Sequence, residues 1–547
     1  MTVRRSVRSG ARIAGVVVST AVGAKIYLGR RGTTIKHSSA IGMPPTNDAD
    51  LPAWLTMAFQ KNGVLSTKQR VAHVEVSTLG GDPADFSGGG KSGNSLMRLT
   101  LKYDGPGDLS ILPPRAVMKI MDYPEVTRKR EPWKPWGRLE TFMQVAAEVH
   151  PAMTTPNESM AFEYLSDVAV RGQPWALPTP DLYFQHLEGP TRRPDGVSVL
   201  IGGAWTGSDP PPLRSLVVME DLASSGYQVF AQEEASLIGG SIFTEAMAMA
   251  SLKVLARWHG QHWGVRGVPR QLRHRSPLYR AMSLQIVIFG GALNWGKLVR
   301  RAFFKMKKGD TSCPLVDAML NEYTQHALLH PDLRASAEYA ELPEIVRSIL
   351  GPVLERSGVI SALRGLNRAY GPVFYPQVKN RLINGDAAKR NRTLLHGDFH
   401  MGNMAIRQGV EAGAIEVKML DFGMMGIGHV ADEFTYYFRY HDPGCITAAT
   451  VDKALTTYHA ELVAACPQIS YTLQDLREDW ALACVDWNSC GLASAAQGEL
   501  LSELTLLIGD KVGVQVQANM LLWLEIVLNS DTAVGLTLRR AAAGEIV

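Results

Sequence analysis

The chain has 547 residues, of which 46% are hydrophobic and 20% charged, and its formal net charge is +4. These values exclude a mostly disordered chain, a collagen-like repeat and a coiled-coil rod, and the length predicts two to four folding units. The 5 cysteines form no Cys-x-x-Cys pair. We therefore expect neither a disulfide scaffold nor a structural zinc site. The cysteines are expected to be thiols in a reducing compartment.

Residues 1–47 carry all of the excess positive charge, with eight Lys or Arg side chains and no Asp or Glu. The remainder has a net charge of −4 (48 basic and 52 acidic side chains), so we expect no nucleic-acid partner. Arg4, Arg8 and Arg12 share one helical face ahead of the apolar stretch 13–24, which is typical of a transit peptide. Our hypothesis is targeting to an organelle, the mitochondrion. The alternatives are a membrane signal anchor, with membrane association through this segment only, or a cytoplasmic protein with a basic tail.

The predicted elements of the body begin with a helix near Leu51, because Pro52 suits the first turn. Alternating apolar residues predict strands at 71–76, 95–103 and 116–120. Beyond about residue 137 the pattern favours helices, interrupted by an apolar strand at 216–219 and short strands within 394–421. This order predicts an α+β fold with an extension (1–47), a β-rich N-lobe (48–218) and a larger helical C-lobe (219–547). A ligand is expected in the cleft between two such lobes.

The stretch 394–403 reads Leu-Leu-His-Gly-Asp-Phe-His-Met-Gly-Asn, and Asp421-Phe-Gly follows eighteen residues after Asn403. Phosphoryl transfer from ATP requires a carboxylate that orients the attacking hydroxyl and accepts its proton, and hard oxygen ligands for magnesium. Asp398 fits the first role, and Asn403 and Asp421 fit the second. An isolated Asp-x-x-x-x-Asn is usually a capped turn, but the two motifs together favour a kinase-type site.

The N-lobe offers residues suited to binding the nucleotide. Lys119, within an apolar strand, can neutralise the α- and β-phosphates, and a helix glutamate must hold it in place. Glu158 is the preferred partner because Phe162 and Leu165 would turn its helix toward the core, and Glu163 is the alternative. A glycine-rich turn ahead of the second strand lets backbone N–H groups approach phosphates. Its candidate phosphate-binding residues are Gly88, Gly89, Gly90 and Gly93.

Residues 396–403 and 421–423 together resemble the signature of the aminoglycoside phosphotransferase/choline kinase superfamily, in particular its ecdysteroid-kinase-like branch. Further support comes from Trp-Leu-Thr at 54–56, Val-Val-Met-Glu-Asp-Leu at 217–222 and Leu-Ala-Arg-Trp-His at 255–259. The similarity covers roughly residues 51–530. The resemblance implies a protein-kinase-like bilobal fold with ATP and magnesium in its cleft. It also implies that Asp398 is the catalytic base and that Asn403 and Asp421 bind the metal.

The resemblance implies supporting roles for other residues. His396 would support the catalytic loop together with His400, and Asp432 would brace that loop from the next helix. The adenine pocket would be lined through backbone hydrogen bonds by Met219, Glu220, Asp221 and Leu222. The chain departs from many members of the branch at Gly423, where they carry glutamine, and at Phe399, where they carry tryptophan.

We therefore expect an ATP- and magnesium-dependent kinase that phosphorylates a hydroxyl of a small molecule. The alternative is a nucleotide-binding pseudokinase or scaffold without turnover. Protein-kinase activity is disfavoured because no Ala-Pro-Glu segment follows Asp421. Sterol, choline-like, sugar and antibiotic hydroxyls all stay open as acceptors, because a fold does not fix a substrate.

Overall fold

A computed structural model of the chain describes thirteen stretches and one single residue, and every statement below concerns them. They are residues 41–45, 47–79, 93–123, 157–165, 168, 177–188, 213–230, 243–269, 272–273, 344–383, 385–409, 413–439, 441–495 and 510–546. These residues divide into two compact units. The first contains the described residues up to Glu163 together with Asp181–Asp221. The second contains those within Tyr164–Pro180 and those from Leu222 onward. The α+β class predicted from the sequence is confirmed.

The first unit is built on a five-stranded antiparallel sheet with strand order β1-β2-β3-β5-β4. Its strands are β1 (Arg70–Thr78), β2 (Gly93–Asp104), β3 (Arg115–Tyr123), β4 (Leu182–Glu188) and β5 (Leu213–Glu220). In β2 the alternation predicts the buried face correctly, since Leu99 and Leu101 are buried. β4 lies where the sequence pattern favoured helix, and that expectation was wrong. β4 is stabilised by its pairing with β5, a contact between distant segments that local periodicity does not report.

One described α-helix lies wholly in the first unit and a second lies mostly in it, since the division falls after Glu163. Helix α1 (Leu51–Lys61) has Pro52 in its first turn, as predicted, and buries Trp54, Leu55 and Phe59 against the sheet. The Trp54 ring meets Phe184 of β4 edge-on, with ring centroids 5.3 Å apart. Helix α2 occupies residues 157–165.

The second unit contains two small sheets that hold the motif-bearing segment. A three-stranded antiparallel sheet has the order β6-β8-β9, and β7 pairs with β10 in a two-stranded sheet. The five strands are β6 (Gln228–Val229), β7 (Arg392–Leu395), β8 (Met404–Gln408), β9 (Ile415–Met419) and β10 (Gly426–His429).

Helices make up most of the rest of the second unit, as the sequence predicts for the stretches described. They are α3 (Glu245–Gln261), α4 (Glu344–Leu354), α5 (Ser357–Ala369), α6 (Tyr375–Val378), α7 (Asp386–Arg390), α8 (Val430–Phe438), α9 (Ala448–Ala465), α10 (Leu473–Ala495), α11 (Asp510–Leu528) and α12 (Ala533–Ala543). Single turns of π-helix, Tyr370–Phe374 and Lys379–Ile383, flank α6.

Within the described stretches, no helix by itself has the length and apolar character to cross a membrane. Residues Val514–Leu528 of α11 and helix α12 meet that test only as a pair bent by 94°. The targeting segment, apart from residues 41–45 and 47, lies outside the described residues.

Candidate active site

The motif segment begins where β7 ends. The indole N–H of Trp258, in α3, donates a 2.7 Å hydrogen bond to the carbonyl of Leu394 and so fixes the end of the strand. Gly397 follows with a φ of 86°, a left-handed backbone conformation that costs a glycine little. The chain then turns through a 3₁₀ segment, Met401–Asn403, into β8. The segment from His396 to Asn403 is called the catalytic loop below.

Glu433 of α8 braces the catalytic loop. Its two carboxylate oxygens accept the backbone N–H groups of His396 and Gly397, both at 2.7 Å, and the side chain is fully buried. The sequence assigned this role to Asp432, whereas the structure gives these hydrogen bonds to the next residue. Asp432 is also buried, and its pKa is raised well above its ordinary value, mainly by burial and secondly by the charge of Asp486.

A buried histidine completes the support of Glu433. His259 of α3 lies with Nε2 3.4 Å from a Glu433 oxygen and Nδ1 2.7 Å from the Tyr458 hydroxyl. Burial lowers the pKa of His259 despite the nearby carboxylate, so the ring is neutral. A neutral ring that accepts the Tyr458 hydroxyl at Nδ1 carries its proton on Nε2, the nitrogen that faces Glu433. Tyr458, His259 and Glu433 thus form a series of side-chain contacts that ends at the catalytic loop.

The candidate base, Asp398, is held by two side chains of its own loop. The Asn403 amide donates to Asp398 Oδ2 at 2.8 Å and to its backbone carbonyl at 3.0 Å. His400 lies with Nε2 3.5 Å from Oδ1, while its Nδ1 accepts the Gly402 N–H. Burial would raise the pKa of Asp398, but His400, His396 and Asn403 outweigh burial and hold it well below its usual range. The carboxylate is therefore ionised at neutral pH.

His396 connects the two motifs. Its Nδ1 accepts the Asp398 N–H at 3.3 Å, so its Nε2 carries the proton that is donated to the Leu420 carbonyl at 2.9 Å. Burial lowers the pKa of His396, which keeps the ring neutral in this bridging position. The side chain is fully buried.

Strand pairing brings the two candidate metal ligands near each other. Met404 of β8 is opposite Met419 of β9, and the Leu420 N–H donates to the Asn403 carbonyl at 2.9 Å. Asp421 comes next, with a φ of 56°, a left-handed conformation that is uncommon outside glycine. Its Oδ1 accepts the Gly423 N–H at 3.3 Å.

Asn403 and Asp421 fit a magnesium site in which the protein supplies only part of the ligand shell. The amide nitrogen of Asn403 is turned to Asp398, so its oxygen is available in another direction. Among the described residues there is no cluster of three or more His, Cys, Asp or Glu side chains suited to hold a metal. Magnesium does not require one, because it usually takes one or two protein oxygens and completes its shell with waters and phosphates.

In the first unit, Lys119 and Glu158 form an ion pair. The Nζ–Oε1 distance is 2.9 Å, and the side chains are 17% and 3% exposed. Glu163, the alternative partner, lies on the exposed side of α2. Lys119 stands in the middle of the sheet, opposite Leu96 on β2 and Val217 on β5. Of the candidate glycines, Gly93 is the first residue of β2, and Gly88, Gly89 and Gly90 lie outside the described residues.

The predicted adenine-binding residues lie at and just after the end of β5. Met219 and Glu220 are its last two residues, and Asp221 and Leu222 are buried. Asp221 Oδ2 lies 2.8 Å from Nε of Arg98 on β2. The sequence analysis did not identify Arg98, or the roles of Glu433, His259 and Tyr458. Of these four residues, only His259 lies in a motif that the sequence analysis quoted, Leu-Ala-Arg-Trp-His at 255–259.

One unit is built on an antiparallel sheet, and the other, mainly helical, carries both motifs. Residues 373–471 match the ecdysteroid kinase-like family. The matched segment contains the catalytic loop, Asp421 and Glu433, so the resemblance drawn from the motifs is confirmed there.

Among solved structures, a choline kinase from Cryptosporidium parvum Iowa II is similar with 10% identity and a TM-score of 0.33 over 83% of this chain and 89% of that one. An ethanolamine kinase from Plasmodium vivax is similar with 10% identity and a TM-score of 0.28, over 82% of this chain and 81% of that one. TM-scores this low do not themselves establish a fold. No curated protein matches the chain.

Proposed function

We propose that this protein is an ATP- and magnesium-dependent phosphotransferase that phosphorylates a hydroxyl group of a small molecule. The observation that carries the proposal is the catalytic loop, in which an ionised Asp398 is oriented by Asn403 and His400. The family match over the same residues supports it.

The roles of the chain's own residues follow from their chemistry. Asp398 would orient the acceptor hydroxyl and take its proton as the oxygen attacks the γ-phosphorus, while the bond from that phosphorus to the β,γ-bridging oxygen breaks and ADP leaves. A low pKa suits this role, because a dissociative transition state needs the hydroxyl positioned more than it needs a strong base. Asn403 and Asp421 would hold magnesium, which would supply positive charge to neutralise the phosphates. Lys119, fixed by Glu158, would neutralise the α- and β-phosphates, and Met219 to Leu222 would bind adenine through their backbone.

The test compares Asp398→Asn with Asp386→Asn, a matched change at an aspartate whose side chain is 84% exposed. We expect Asp398→Asn to lower turnover of [γ-³²P]ATP into labelled small-molecule product by ~10²–10⁴-fold. The Kd for Mg·ATP should change little, and Asp386→Asn should match wild type. Asp421→Ala should weaken Mg·ATP binding itself. Equal turnover by Asp398→Asn and wild type would reject the base assignment. Binding of Mg·ATP by wild type without any product would favour the scaffold alternative.

For the basic N-terminal segment we propose organelle targeting. The support is the acid-free, arginine-rich composition of residues 1–47. A fluorescent reporter fused to these residues should collect in mitochondria, and the same reporter with Arg4, Arg8 and Arg12 changed to Gln should not. A reporter that stays diffuse in the cytosol contradicts the proposal.

A further inference from the structure

Arg98 of β2 lies on the face of the first unit's sheet that also carries Lys119. The strand register places Arg98 opposite Val117 on β3, and Val117 opposite Met219 on β5. Lys119 comes two residues after Val117 on the same strand, so its side chain lies on the same face. The other face of these strands packs against α1. Arg98 therefore stands one row of the sheet away from Lys119, on the side toward the end of β5.

The Arg98 guanidinium is paired with the carboxylate of Asp221, the residue that follows β5. Nε of Arg98 lies 2.8 Å from Oδ2, and Nη2 donates to Oδ1 at 3.3 Å, so both carboxylate oxygens are engaged. The Arg98 side chain is 29% exposed and that of Asp221 is 3% exposed. Two contacts from a planar guanidinium fix the direction of a carboxylate more closely than one contact does.

The segment to which adenine binding is assigned, residues 219–222, is also anchored from the side of β4. The Glu220 N–H donates to the carbonyl of Asp181 at 2.9 Å, and the Asp181 N–H donates to Oε2 of Glu220 at 3.3 Å. Asp181 directly precedes β4, whereas Arg98 lies on β2, on the opposite side of β5 in the strand order. The segment is thus held through neighbouring residues from both sides.

The Arg98–Asp221 pair is not needed for stability alone. Replacing a buried ion pair by apolar residues of similar size is often neutral or stabilising, so such a pair is weak evidence of a stabilising role. Its position suggests another use, because it holds a segment whose backbone must meet a planar base. A segment that is already fixed in its binding conformation binds more tightly, since binding then requires no further ordering.

Resting on the proposed function, we propose that Arg98 is a positioning residue for the nucleotide base. Through Asp221 it fixes residues 219–222 in the conformation that binds adenine, while Lys119, one row away, binds the phosphates. The two ion pairs on this face of the sheet thus act on different parts of the nucleotide. Arg98 and Asp221 act on the base, and Lys119 and Glu158 act on the triphosphate.

This division predicts different losses for two probes, Mg·ATP and Mg·tripolyphosphate, which has the phosphates but no base. Calorimetry on the full-length protein measures both. We expect Arg98→Met to raise the Kd for Mg·ATP about 10-fold and to leave the Kd for Mg·tripolyphosphate within about 2-fold of wild type. Lys119→Met should weaken the binding of both probes. Arg70→Met is the matched control, because Arg70 forms an exposed ion pair with Asp104 in the same sheet, and both affinities should stay unchanged.

Further variants separate positioning from folding. Arg98→Lys keeps the charge but loses the planar fork, and should recover part of the affinity for Mg·ATP. Asp221→Asn removes the partner charge, and should also weaken the binding of Mg·ATP without that of Mg·tripolyphosphate. The double variant Arg98→Met/Asp221→Asn should bind Mg·ATP no more weakly than Arg98→Met alone, because the two residues act as one unit.

The outcomes distinguish this inference from the proposed function. Equal weakening of both probes by Arg98→Met or Asp221→Asn, or unchanged affinity for Mg·ATP in both variants, would overturn the inference and leave the proposed function standing. The same holds if all of these variants unfold, which would assign the pair to folding, or if wild type binds Mg·ATP but not Mg·tripolyphosphate. A wild-type protein that does not bind Mg·ATP would overturn the proposed function and this inference with it.

Discussion

Replacing Glu433 with Gln tests whether the buried carboxylate holds the catalytic loop. The carboxylate accepts two backbone N–H groups at 2.7 Å, whereas an amide offers one oxygen and places an NH₂ group against the second N–H. Losing a hydrogen bond to a charged group costs about 1.5–3 kcal/mol, and an unpaired buried donor costs about 1–3 kcal/mol. Removing a buried charge offsets part of these costs. We therefore expect the free energy of unfolding to fall by about 2–4 kcal/mol.

Urea unfolding of the second unit measures this loss. With an m-value of about 3 kcal/mol/M, the midpoint should fall by about 1 M at unchanged m. Turnover should fall at least 10-fold as well, because the loop that carries Asp398 loses its anchor. Glu461→Gln is the control, since Glu461 forms a partly exposed ion pair with Arg257 and should cost under about 1 kcal/mol. A Glu433→Gln protein with wild-type midpoint and turnover would refute the bracing role.

Three further changes have defined outcomes. Gly428→Ala would drive a methyl group into the Leu395 side chain just before the catalytic loop, and should cost about 1–3 kcal/mol in urea unfolding and lower kcat. Burial raises the pKa of Asp486 from 3.8 to about 6, so its contribution to stability is present below about pH 4 and is lost as the pH rises through 6. The stability of Asp486→Asn relative to wild type should therefore rise by up to about 3 kcal/mol between pH 4 and pH 7, and an equal pH dependence in both would contradict the raised pKa. Glu158→Gln should weaken Mg·ATP binding about 10-fold in calorimetry by freeing Lys119, and unchanged affinity would remove that pair from nucleotide binding.

Features of the chain set by local pattern could be predicted from the sequence. The period-two alternation of β2 predicted its buried face, because one side of a sheet is packed against α1. Helical spacing placed Phe162 and Leu165 toward the core, and Glu158, on their side of the helix, reaches Lys119. Asp398 and Asn403 were both assigned to one site from their spacing, and in the structure their side chains are in contact.

Features set by contacts between distant segments could not be predicted. β4 is a strand because β5 lies beside it, and its own residues give a weak signal. Asp432 and Glu433 are adjacent carboxylates on a helix that is buried nearly all round, so no amphipathic face indicates which one points to the loop. The side chain of His429 caps that helix by accepting the Ala431 N–H, and only the folded chain shows which carboxylate faces the loop.

The central claim is that the protein transfers the γ-phosphoryl group of ATP to a small-molecule hydroxyl that Asp398 orients and deprotonates. Its most direct measurement is the rate at which ³²P from [γ-³²P]ATP enters small molecules of a metabolite extract, compared among wild type, Asp398→Asn and Asp386→Asn. The account predicts labelled product from wild type and Asp386→Asn, and a rate ~10²–10⁴-fold lower from Asp398→Asn. Label appearing equally with all three proteins, or with none while Mg·ATP binds, would contradict it.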